Sequence, residues 1–320
     1  MRRCALLFAF VSLCLPVTAV SAFAQSRTPE AALNRFNDAS KKIDSGDLDG
    51  AIEDLTRAIR LSSHLGDSNN SDRGLANSFN DYSSEEIKVI DPFTANAYNN
   101  RGLVRYKKND FAGAIEDFDE ALRIRPGLAS PYLNRAAALR AMGKHEAALK
   151  DLDKAIAIKK DFFEAYSNRG SLRLDMGDTK GAIADLNRAL EINDKTAESF
   201  YQRGYAYIEM KNYDGALADF NRAVYLDPNM AWAYQGRGTA LMMTGKMTKA
   251  MEDFTRAIEL DPHLAWAYFN RGLSRLYLGN EREAQKDFDE CLRLRPDLKP
   301  QLDSRIDLAR ELRQQNKPVQ

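Results

Sequence analysis

One short pattern recurs along this chain at a constant step of 34 residues. It reads Tyr98-Asn-Asn-Arg-Gly102, Tyr132-Leu-Asn-Arg-Ala136, Tyr166-Ser-Asn-Arg-Gly170, Phe200-Tyr-Gln-Arg-Gly204, Tyr234-Gln-Gly-Arg-Gly238 and Tyr268-Phe-Asn-Arg-Gly272. The same step carries Ala114, Ala148, Ala182, Ala216, Ala250 and Ala284, then Phe118, Leu152, Leu186, Phe220, Phe254 and Phe288. It also carries Ala121, Ala155, Ala189, Ala223, Ala257 and Cys291. A period of this length makes each unit one supersecondary motif that cannot bury its apolar face alone, so the units must stack.

Each unit holds two amphipathic stretches, such as Ala97–Lys108 and Phe111–Ile124, around a polar turn, Asn109-Asp110. Apolar residues within them recur at i, i+3, i+4 and i+7, the helical spacing. Small residues let the two helices approach, and the aromatics fill the space between one pair and the next. Pro126, Pro228, Pro262 and Pro296 stop the second helix in four units. Lys160 and Asp194 take that place in the other two.

Counted from residue 95, the pattern resembles the tetratricopeptide repeat: aromatic at position 4, Gly at 8, Ala at 20, aromatic at 24, Ala at 27 and Pro at 32. Arg at position 7 departs from the usual Leu. The resemblance implies an all-α, right-handed α-solenoid of helix-turn-helix repeats. Six units are expected, at 95–128, 129–162, 163–196, 197–230, 231–264 and 265–298, about two-thirds of the chain.

The flanks are less regular. Gly46, Ala51, Leu55 and Ala58 fit a degenerate repeat within 25–61, starting near Ala32. Residues 62–94 read as an irregular insertion or partial repeat, because His64–Ser84 is rich in Ser, Asn, Asp and Gly. Residues 299–320 read as a capping helix and tail, with Leu302, Ile306, Ala309 and Leu312 as its apolar stripe. Residues 1–24 have the form of a secretory signal: Arg2 and Arg3, an apolar run to Leu15, then Ala22-x-Ala24 before the expected cleavage. The chain is therefore expected to be exported, to the periplasm or beyond, with no membrane span after cleavage.

Losing Arg2 and Arg3 from 46 basic residues leaves 44 against 46 acidic ones, which supplies no electrostatic reason to bind nucleic acid. Of three cysteines only Cys291 survives cleavage, so no internal disulfide can form. It takes the small-residue position 27 and reads as a packed thiol. His64, His145 and His263 lie apart, so no metal cluster or cofactor is expected. No phosphate loop, nucleophile elbow or zinc-protease motif occurs. The repeats leave no room for a separate catalytic domain, and no enzymatic activity is expected.

Three sets of residues stand out. Position 7 is Arg101, Arg135, Arg169, Arg203, Arg237 and Arg271; position 23 is Asp117, Asp151, Asp185, Asp219, Asp253 and Asp287. Their strict joint recurrence favours a structural pair between the two helices over a ligand ladder. In the repeat family the first helices line the concave face. There position 6 reads Asn100, Asn134, Asn168, Gln202, Gly236 and Asn270. Such a line fits either an amide ladder reading a peptide backbone or simply a tolerant polar surface. Tyr201, Tyr205, Trp232, Trp266, Phe269 and Tyr277 make the later half of that face apolar. They suit either partner anchors or packing against the preceding helix or the cap.

Together these features suggest a scaffold that binds another protein or peptide as an extended segment in its groove, in envelope assembly or secretion. An architectural, self-associating role is the alternative, and an accessory module with enzymatic activity a remote one.

Overall fold

The structure, a computed structural model, describes residues 30–63 and 92–315. The signal-like segment and residues 64–91 lie outside the described residues. Among those described, fifteen α-helices and one 3-10 turn occur, with no strand. The fold belongs to the all-α solenoid class of stacked helix hairpins. The chain forms two compact units that divide between Met176 and Gly177.

In the first unit α1 (Glu30–Ser45) pairs with α2 (Leu48–Ser63), α3 (Pro92–Lys107) with α4 (Phe111–Ile124), and α5 (Ala129–Ala141) with α6 (His145–Ile158). Helix α7 (Phe163–Asp175) packs on α6. The second unit begins with α8 (Thr179–Ile192). Three hairpins follow: α9 (Ala197–Glu209) with α10 (Tyr213–Leu226), α11 (Ala231–Met243) with α12 (Met247–Leu260), and α13 (Ala265–Tyr277) with α14 (Glu281–Leu294). A 3-10 turn, Pro296–Leu298, leads into α15 (Lys299–Gln315).

The turn between the helices of a pair needs one left-handed residue. Gly46, Gly143, Gly177, Gly245 and Gly279 supply it, while Asn109 (φ 62°) and Lys211 (φ 59°) adopt it with a side chain. The next N–H then reaches back five residues, as from Lys144 to the Leu139 carbonyl (2.9 Å) and from Asn212 to that of Tyr207 (2.8 Å). This closes orphan carbonyls at the helix end. The Asp110, Asp178 and Asn212 side chains accept from the backbone N–H of Gly113, Gly181 and Gly215, capping the second helices.

Within a hairpin, the position-8 glycine and the position-24 ring fit as a pair. A Cβ on Gly102, Gly204 or Gly238 would lie 2.6, 2.9 or 2.7 Å from the ring of Phe118, Phe220 or Phe254. Where Leu152 replaces the ring, Ala136 is accommodated, and both are buried. Each of those three phenylalanines is wholly buried, which contributes about 1.5–3 kcal/mol apiece.

Of the expected insertion or partial repeat at 62–94, only the two ends fall among the described residues. Ser62 and Ser63 close α2, residues 92–94 open α3, and these two helices pack directly on each other. Phe36 meets Phe93 with ring centroids 5.2 Å apart. The buried Thr94 hydroxyl donates to Ser62 Oγ (2.9 Å), and Arg101 Nη1 donates to Thr56 Oγ1 (3.0 Å). At the other end α15 lies on α13, burying Leu298 and Leu302 with Ile306 and Ala309 beside them. The Leu312 side chain lies outside the described ones.

Lys211 occupies its left-handed conformation at a cost of about 1–2 kcal/mol. Lys211→Gly is expected to raise Tm by a few degrees, whereas Gly245→Lys at the equivalent turn should lower it. Calorimetry of both variants checks this.

Candidate functional site

First helices are positioned by one repeated polar contact. The guanidinium of Arg101, Arg135, Arg203, Arg237 and Arg271 grips the aspartate sixteen residues on, Asp117, Asp151, Asp219, Asp253 and Asp287, through Nε and Nη2 at 2.6–3.1 Å. Those carboxylates are buried. A two-pronged bond to a planar fork fixes the angle between the two helices as well as their distance. Burial raises the Asp117 carboxyl above its ordinary value despite the pull of Arg101 and Arg105.

The third nitrogen does something the sequence reading did not include. Nη1 donates to position 25 of the preceding repeat: Arg135 to Asp119 (2.5 Å), Arg169 to Asp153 (2.6 Å), Arg203 to Asn187 (2.8 Å), Arg237 to Asn221 (3.0 Å) and Arg271 to Thr255 (3.1 Å). Each guanidinium also lies 5.3–5.6 Å from the centroid of its own position-4 ring, from Tyr98 through Tyr268. In the first hairpin position 7 is Asp38, and the buried Asp54 is held instead by Arg35 (3.1 Å) and Lys42 (2.6 Å). Those residues lie three before and four after position 7, on the same helical face.

The amides of position 6 do not form an open ladder. Asn134 is buried and its Nδ2 donates to Asn99 Oδ1 (2.9 Å), with Asn99 buried as well. Gln202 is buried and donates to Glu198 (2.9 Å); Asn270 is buried, with Nδ2 3.4 Å from Thr239 Oγ1. Asn168 is partly buried and bonds the Glu164 carbonyl of its own helix (2.9 Å), and Asn100 is partly exposed. The physical reason is close packing of neighbouring first helices, which covers position 6 and commits its polar atoms internally. Gly236 interrupts the line because a Cβ there would sit 2.5 Å from the Phe220 ring. On the first unit Arg140 is likewise committed, to Asp175 (2.6 Å) and Ser171 (3.0 Å). Burial raises the Asp175 carboxyl, with Arg140 opposing the shift.

Phe269 is corrected in the same way. It is 3% exposed, in the cluster that includes Leu276 and the cap residues Leu298 and Leu302, so it holds the cap and faces no partner. Trp266 packs on it with centroids 4.9 Å apart and remains partly exposed. Trp232, Tyr201, Tyr205 and Tyr277 are also partly exposed. The Tyr201 and Tyr205 rings meet edge-on at 5.0 Å over Phe220, and Gln235 Nε2 approaches the Tyr205 hydroxyl at 3.3 Å. Ile208 and Met242 are partly exposed on the same first helices. The first helices of the second unit thus carry a set of supported but accessible aromatic and thioether side chains. Cys291 is buried, and burial pushes its thiol up to about 11, as suits an inert packed residue. Among the described residues no group of three metal-ligating side chains occurs, and no helix is long and apolar enough to cross a membrane.

Comparison with known proteins agrees with this architecture. Residues 93–161, 197–230, 231–264 and 265–298 each match the tetratricopeptide repeat, and residues 170–211 match the description TPR repeat. The chain belongs to the tetratricopeptide repeat family, whose helix-hairpin stacks serve as protein-interaction scaffolds. A tetratricopeptide repeat protein from Parabacteroides merdae superposes with a TM-score of 0.60 at 21% identity, over 87% of this chain and 98% of its own. PilF of Pseudomonas aeruginosa gives 0.58 at 17% identity, over 63% and 92%. YrrB, described as a TPR protein with an unusual peptide-binding site, is 28% identical over 56% of this chain and 93% of its own, with a TM-score of 0.46. No curated protein matches the sequence.

Arg237→Ala would leave the buried Asp253 carboxylate without its counterion, and a loss of about 3 kcal/mol is expected. Replacing both by Leu is expected to recover most of that loss. Urea denaturation of the single and double variants measures the difference.

Proposed function

We propose that this protein binds an extended polypeptide segment along the first helices of its second unit, gripping it chiefly by apolar side chains. The observation that carries the reading is the group Tyr201, Tyr205, Ile208, Trp232 and Trp266, each partly exposed yet packed against a buried cluster, with Met242 and Tyr277 partly exposed beside them in sequence. Aromatic rings of this kind bury large areas at low entropic cost, which is why they dominate binding energies. With Asn134, Gln202 and Asn270 committed internally, backbone reading by an amide line gives way to side-chain selectivity. Family membership supports a protein or peptide as the partner and a scaffold more than a catalyst.

The signal-like residues 1–24 place this activity, in our reading, after export, in envelope assembly or secretion. The mature chain is then expected to begin at Gln25. N-terminal sequencing of the protein from an envelope fraction checks this; an intact Met1 or recovery only with the cytosol would refute it.

For binding itself, a reduced and carboxymethylated lactalbumin serves as an unfolded polypeptide probe. Trp232→Ser with Tyr277→Ser is expected to weaken its capture about tenfold while circular dichroism stays unchanged. Asn134→Ser, in the first unit, is expected to leave capture as it was. Equal capture by the Trp232/Tyr277 variant and wild type would overturn the placement.

A further inference from the structure

The corner where each first helix ends presents a methionine in most of the later repeats. Met142, Met176 and Met210 are the C-cap residues of α5, α7 and α9, at a step of 34, and Met243 is the last residue of α11. They are 41%, 42%, 48% and 50% exposed. Met142, Met176 and Met210 lie just before the left-handed turn residue, and Met243 lies two before Gly245, where the chain reverses. Packing does not demand an apolar residue here, since Lys108 and Thr244 occupy the same corner in other repeats. Met230, Met242, Met247 and Met251 are only partly exposed.

We propose that Met142, Met176, Met210 and Met243 are oxidation sites of the folded chain, converted to the sulfoxide by a two-electron oxidant such as hypochlorous acid. The thioether sulfur attacks the electrophilic chlorine and the Cl–O bond breaks, releasing hydroxide; water then attacks the sulfur, chloride leaves, and of the two protons shed one neutralises the hydroxide. One sulfoxide, one chloride and one proton result; sulfur is oxidised by two electrons and chlorine reduced by two. Sulfoxide formation turns a flexible apolar group into a polar one. None of the four holds a core, so the stack survives the change. Met210 follows Ile208 by two residues and Met243 follows Met242 directly, so sulfoxides there make the rim of the apolar first-helix face polar. Oxidation then weakens polypeptide capture, a consequence that rests on the binding reading above.

The test treats the full mature chain with limiting hypochlorous acid, quenches with free methionine, and quantifies each sulfoxide by peptide mass spectrometry. The four corner methionines are expected to react at least about fivefold faster than the other four, with helical circular dichroism unchanged. Equal rates at all eight, or faster reaction of the covered ones, would overturn the assignment. Capture of carboxymethylated lactalbumin is then compared for oxidised wild type and for an identically treated variant with the four corner residues changed to Leu. Loss in the first and retention in the second supports control by oxidation. Selective oxidation with unchanged capture refutes that control and leaves the binding reading intact. Absence of capture before any oxidant is added refutes the binding reading and leaves the site assignment to the mass spectra.

Discussion

A guanidinium with three directions of contact organises this array. Two of its nitrogens clamp the buried aspartate of the partner helix, the third reaches the previous repeat, and its flat face lies by the position-4 ring. Hairpin geometry, repeat-to-repeat spacing and aromatic packing are therefore coupled through one side chain. An Arg–carboxylate fork is directional where apolar contact is not. That is why small residues at positions 8, 20 and 27 can pack tightly without the helices sliding. The back-reaching partner softens along the chain, from Asp119 and Asp153 to Asn187, Asn221 and Thr255, so the inter-repeat link passes from ionic to neutral.

Close spacing of first helices has a second effect: it decides which residues remain available to a partner. Polar side chains at positions 5 and 6 are drawn into helix–helix contacts, as in Asn134 with Asn99. Larger amphipathic side chains at positions 2, 9 and 12 stay partly in solvent. The accessible chemistry of the second unit is thus aromatic and thioether, while Arg140, Ser171 and Asp175 tie down the corresponding part of the first.

Periodicity made the fold and the Arg–Asp pairing legible, because both depend on residue type at a fixed step. Depth was not legible. A line of Asn at position 6 looks the same whether the neighbouring helix stands off or covers it, and Phe269 was indistinguishable from its accessible neighbours until the cap was seen to lie on α13. Position 25 was readable and overlooked: five of its residues can accept from an arginine, but their types differ, which hides the common role. Asp54 escaped for the opposite reason, since its cations Arg35 and Lys42 are displaced along the helix from the register the other repeats share.

The direct seating of α2 on α3 has a topological consequence. Helix α2 ends at Ser63 and α3 begins at Pro92, at points that the Ser62–Thr94 hydrogen bond holds side by side. Whatever the intervening residues do, they begin and end at one spot on the scaffold. Closing a longer excursion across such anchored ends grows in cost only with the logarithm of its length. The seam is therefore a built-in port, where foreign sequence can be grafted without disturbing the register of a single repeat.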